Sequence, residues 1–126
     1  MGKTLYLPLK KEWYEMIESG FKTEEYREIK EHWVKRLIHF TYEEYETLEE
    51  LTSQLQFAEE NEWTPYEVLG YYGAQLRRFY AVKFSYGYTK RTMTFECKGI
   101  TIGKGKKEWG ASDEDVFIIK LGRRVE

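Results

Sequence analysis

The chain has 126 residues, 41% of them hydrophobic and 17% aromatic, which excludes a disordered segment and suits one compact domain. Mean hydropathy is −0.71, and no apolar run approaches the ~18–20 residues that span a bilayer, so the sequence predicts no membrane-spanning helix. The 20 basic and 22 acidic side chains give −2, but the stretch Glu43–Glu67 holds nine of the acidic ones and no Lys or Arg, leaving +7 on the remainder.

Leu5, Leu7 and Leu9 alternate with Tyr6 and Pro8, which predicts a short strand near a sheet edge. Trp13, Met16 and Ile17 form one apolar stripe at helical spacing, so Lys10–Ser19 reads as a helix with Trp13 in the core. Gly20 sits where a left-handed residue ends such a helix. From Thr23 to Ile29 the alternation returns, with Glu25, Arg27 and Ile29 on one side of a polar strand. His32–His39 repeats Trp33/Val34 with Leu37/Ile38, a second amphipathic helix with Trp33 in the core.

Thr47 to Glu50 reads as a capping box, followed by Leu48, Leu51, Leu55 and Ala58 on one helical face. Thr64 to Glu67 repeats the signal with Pro65 at the first helical position, and Val68, Leu69, Tyr72 and Leu76 follow at helical spacing. The remainder reads as β structure. Tyr80, Val82, Phe84 and Tyr86 alternate, with Tyr80 and Phe84 in the core; Gly87 opens a hairpin, and Met93, Phe95 and Cys97 alternate on the return. At Gly99 the apolar phase slips to Ile100 and Ile102, which predicts a β-bulge of the kind that curls a sheet. Lys104–Asp115 is a polar loop holding Trp109, and Val116–Leu121 is apolar enough for a central strand. The expected architecture is a small α+β, barrel-like domain.

Chemistry is densest at Gly20-x-Lys22-x-x-Glu25-x-Arg27. Lys22 falls at the turn after the helix, and Glu25 and Arg27 share a strand face. If that face looks into a cleft, a carboxylate between two cations holds Arg27 and leaves donors free for a phosphate or a base edge. The alternative is a surface strand with ordinary cross-strand ion pairs. Tyr88 and Trp109, near Lys90, Arg91, Lys104, Lys106 and Lys107, are candidate stacking partners for bases; Trp109 reads equally as a structural plug. His32 and His39 join the single cysteine in no metal-ligand pattern, and no metal or other cofactor is expected. Cys97 is the single cysteine, which excludes disulfides within the chain and fits a reducing, cytoplasmic setting, and its alternation with apolar neighbours reads as a core position. Met1 to Lys11 carries no cleavage-like site. Gly103 to Gly105 lacks the phosphate-loop pattern, which excludes a nucleoside triphosphatase of that type.

The motif Gly20, Lys22, Glu25, Arg27, set after a first strand and helix, resembles the signature of the ASCH domain family, whose fold is similar to PUA RNA-binding domains. The resemblance covers Leu5–Leu37 and Arg78–Gly122. It implies a PUA-like β-barrel with flanking helices, with the mostly acidic helical segment 43–77 as an insertion. It further implies a cleft that binds RNA or a modified nucleotide through Lys22, Glu25 and Arg27. Some small members deacetylate N4-acetylcytidine with a Lys, a Thr and a Glu. Lys22 matches that catalytic lysine; Glu25 stands at the position of the Thr, with Thr23 beside the lysine instead, and Glu67 is the candidate for the Glu by order along the chain. Three readings therefore stand: an RNA- or nucleotide-binding module, an amidohydrolase acting on an acylated nucleoside, and a protein–protein adaptor docking through Glu43–Glu67.

Overall fold

The computed structural model describes residues 2–40 and 45–126. In chain order the elements are β1 (Lys3–Leu9), α1 (Lys11–Glu18), β2 (Glu24–Glu28), α2 (Glu31–Leu37), β3 (Ile38–His39), α3 (Tyr45–Gln56), α4 (Pro65–Tyr72), β4 (Gln75–Leu76), β5 (Phe79–Tyr86), β6 (Thr92–Gly103) and β7 (Val116–Arg124). The fold is α+β: a five-stranded sheet of order β1-β5-β6-β7-β2, curled into a half-barrel, with four helices among the described residues. None of these helices is long and apolar enough to cross a membrane.

The curl follows from the sequence. Between Cys97 and Gly99 the partner strand advances only from Leu121 to Lys120, so the bulge lies where the apolar phase slips. Gly99 has φ +131°, a conformation that side chains resist, which is why glycine occupies the bulge. Leu5, Leu7 and Leu9 of β1, with Phe84, Phe117 and Ile119, fill the concave face. β1 and β2 are the two edges of this sheet, and the curl turns them toward one another; an Arg27–Pro8 hydrogen bond spans the gap.

Four features differ from the sequence reading. The core stripe of α1 is Tyr14 and Ile17, while Trp13 and Met16 are half-buried; likewise Val34 and Leu37, not Trp33, carry the core face of α2. α2 stops at Leu37, because Ile38 and His39 pair with Leu76 and Gln75 in a short ribbon that closes the base of the helical segment. Leu76 is therefore in a strand, with α4 ended at Gly73 (φ +64°). α3 is already helical at Tyr45, so Thr47 lies inside it and Thr47–Glu50 is not a capping box; the second box is real, Thr64 Oγ1 accepting from Glu67 N and Glu67 Oε1 from Thr64 N. Finally, Tyr80 is 69% exposed rather than core: Lys3 pairs with Phe79 and Thr4 with Ala81, so Tyr80 is the extra residue of a second bulge. Phe84 is buried as expected, and Cys97 is half-buried, its thiol pKa pushed up by burial. Leu48, Leu51, Leu55 and Ala58 of the acidic segment join the common core. Glu43 and Glu44 lie outside the described residues.

Beyond α3 the chain turns through Glu62 at φ +60°, with Trp63 N donating to Ala58 O at 2.8 Å. A left-handed residue is needed there, and a side chain makes it costly by about 1 kcal/mol relative to glycine. Glu62→Gly is expected to raise the melting temperature by roughly 4 °C, read by thermal circular dichroism; an unchanged or lower value would contradict this account of the turn.

Candidate functional site: a cationic cleft between the sheet edges

Strand alternation and the turn after α1 bring the three charged residues of the motif together. Gly20 (φ +85°) ends α1 and Lys22 N donates to Met16 O, which turns the Lys22 side chain inward below β2. Lys22 Nζ meets Glu25 Oε1 at 2.8 Å, and Arg27 Nη2 meets Glu25 Oε2 at 2.9 Å. These side chains are 1%, 7% and 17% exposed for Lys22, Glu25 and Arg27, so this is a buried triad rather than a surface ion pair. It carries a formal charge of +1.

Aromatic rings and backbone complete its surroundings. Lys22 Nζ lies 4.4 Å from the centre of the Trp13 ring and 5.7 Å from that of Tyr26; Arg27 Cζ lies 4.8 Å from the Trp33 ring. Such contacts stabilise a cation by about 1–2 kcal/mol when it is desolvated. Arg27 Nη2 also donates to Pro8 O on the opposite sheet edge, at 3.1 Å. Arg27 Nε is buried and has no partner. Guanidinium groups carry five N–H donors, so Arg27 keeps donors in reserve after binding Glu25 and Pro8.

Glu25 and Arg27 of the triad line a cleft of about 620 Å³, together with Pro8, Lys10, Trp13, Trp33 and Tyr88 among others, while the buried Lys22 stands behind Glu25 and does not line it. That size lies within the ~300–1,000 Å³ of small-ligand sites. Lys30 on its rim pairs with Glu28 at 2.9 Å, so Lys10 and the triad hold the excess positive charge. Tyr88, 97% exposed at the hairpin tip, stands at the mouth.

Trp109 does not line this cleft. It is buried, edge-on to Phe21, with Lys106 Nζ 4.2 Å above its ring, and the adjoining Gly110 packs on Trp13. It acts as the plug behind the cleft wall. Its loop is anchored by Tyr26, whose hydroxyl donates to Glu24 and accepts from Lys106 N; burial, with Glu24 adding to it, pushes the phenol pKa up to about 12. A Cβ on Gly105 would lie 2.8 Å from the Tyr26 ring, so that glycine serves close packing. Of the cations expected near Trp109, Lys106 is there, whereas Arg91 pairs with Glu18, Lys104 with Glu59 and Asp115, and Lys107 with Asp113. Sequence reasoning missed Trp13 and Trp33 as walls, although each lies on a helix bordering the motif.

Glu67 is occupied by its capping box on α4 and does not line the cleft, and Thr23 is exposed, so neither joins Lys22. Among the described residues no group of three or more His, Cys, Asp or Glu side chains converges to hold a metal. Comparison with protein-family models, with curated proteins and with solved structures yields no match.

Removing the central carboxylate leaves two buried cations without their counter-charge. Glu25→Gln is expected to destabilise the fold by about 3–5 kcal/mol, measured by urea unfolding; a loss under about 1 kcal/mol, the range of surface ion pairs, would show that the triad is solvated in solution.

Proposed function

We propose that the chain is a PUA-like domain of the ASCH type that binds single-stranded RNA or a modified nucleotide in the cleft beside Lys22, Glu25 and Arg27. The observation that carries this reading is the +1 charge of a buried triad whose Arg27 retains an unpartnered Nε, next to a cleft walled by two indoles. Buried excess charge is costly without a counter-charge, and guanidinium donors suit phosphate oxygens or the acceptor edge of a base. Trp13 and Trp33 supply apolar walls on which a base can stack, and stacking contributes about 1–3 kcal/mol per base. Spacing supports the same reading, since the family's Gly, Lys, Glu and Arg positions are all met.

In this assignment Arg27 meets the acceptor on the ligand. Glu25, bonded to both cations, fixes their positions, and Lys22 adds positive charge from below. Tyr88 closes the mouth over the ligand. Trp109 supports the Trp13 wall from behind and does not touch the ligand. Binding is favoured over hydrolysis of an acylated nucleoside because Lys22 is held by Glu25 and neither Thr23 nor Glu67 stands beside it.

Fluorescence titration tests this with cytidine 5′-monophosphate, N4-acetylcytidine and a short single-stranded RNA. The RNA is expected to bind, with log affinity falling against log salt by about 0.7 per phosphate contacted. Arg27→Ala should weaken binding at least about tenfold and Trp33→Ala about five- to a hundredfold. No binding, or wild-type affinity in Arg27→Ala, would overturn the reading. Release of acetate from N4-acetylcytidine, lost in Lys22→Ala, would replace it with the hydrolase.

A further inference from the structure

A second concave site lies on the helical segment, built with the opposite charge. From Leu37 to Leu76 the sequence contains no Lys or Arg. On that segment α3, α4 and the turn between them enclose a groove of about 340 Å³, lined by Glu50, Asn61, Trp63, Val68, Tyr71 and Tyr72. Trp63 and Tyr71 are 48% and 76% exposed, an apolar surface left uncovered among the described residues. The Tyr71 and Tyr72 rings lie 5.1 Å apart at 78°, the corner of a box with two aromatic walls. Tyr72 donates its hydroxyl to Glu50 Oε1 at 2.7 Å, which fixes the carboxylate; among the described residues Oε2 takes no hydrogen bond. Trp63 is held by its N–H bond to Ala58 O and by the capping box that follows it.

We infer that this groove is a docking site for a Lys or Arg side chain presented by a basic segment of a protein partner. Aromatic faces attract a cation through their negative π surface, and the oriented carboxylate completes the charge match. Phosphate-bearing ligands are repelled by the same charges, so this site is separate from the nucleotide cleft and does not depend on it. The surrounding helical surface is acidic as well, which favours a segment with several cations over an isolated amine.

The probe is a dye-labelled peptide of alternating lysine and serine, with its ε-N-acetylated form as the neutral counterpart. Fluorescence anisotropy should show the wild type binding the lysine peptide. Tyr71→Ala and Glu50→Gln should each weaken it at least about fivefold, and the acetylated peptide should bind the wild type no better than the lysine peptide binds those variants. Glu50 and Tyr71 are exposed, so their variants are expected to keep the wild-type circular dichroism spectrum, which is recorded alongside. In the wild type the Trp63 indole N–H resonance should move on titration. Unchanged affinity in Tyr71→Ala, equal affinity for the acetylated peptide, or no binding by the wild type at millimolar peptide would each overturn the assignment.

Discussion

One carboxylate between two cations organises this molecule. Glu25 takes Lys22 on one oxygen and Arg27 on the other, and Arg27 reaches across to the carbonyl of Pro8. Glu25 and Arg27 stand on one edge strand of the sheet and Pro8 on the other, so this chain bridges the half-barrel at its opening. Sheet edges left unpaired expose backbone donors and acceptors. Here one edge carbonyl is satisfied by a guanidinium, and the gap between the edges becomes a cleft. A polar network under such constraint is stable only when its members are paired, and Arg27 Nε is the one buried nitrogen of the triad that is not.

Around the triad, packing and charge reinforce each other. Trp13 and Trp33 come from the two helices that flank β2, so the elements that position the motif also supply the cleft walls. The Lys104–Asp115 loop braces one wall through Gly110 and Trp109, and Tyr26 holds that loop to β2. The described part of the acidic segment lines no part of the cleft, though Lys104 ties it to the loop through Glu59. Positive charge with indoles at one site and negative charge with tyrosines at another give the chain two surfaces of opposite preference.

Local patterns carried much of this arrangement. Alternation put Glu25 and Arg27 on one face, Gly20 marked the turn that directs Lys22, and the phase slip at Gly99 located the bulge that curls the sheet. Each is short-range, and backbone geometry enforces it. What failed needed distant partners. The tryptophans of α1 and α2 sit one position away from the residues that take the core, Tyr14 and Val34, and an eight-residue helix offers two nearly equivalent apolar stripes. Only the sheet beneath α1 selects between them. Alternation within β5 places Tyr80 inward, but the bulge that turns it outward is defined by β1, far away in sequence. The Ile38–His39 ribbon depends on Gln75 and Leu76, and local helix spacing gave no sign of that pairing. Trp109 was legible as aromatic and close to cations; its burial behind Trp13 is a tertiary fact.

Intermolecular nuclear Overhauser effects between a bound cytidine-containing oligonucleotide and the isotope-labelled protein are the most direct test of the cleft as a base-binding site. Base protons are predicted to show contacts with the Trp13 and Trp33 indoles, together with a shift of the Arg27 Nε–H resonance as that donor gains a partner. Contacts restricted to Tyr88 or to other surface residues, with both indoles and Arg27 unmoved, would contradict it.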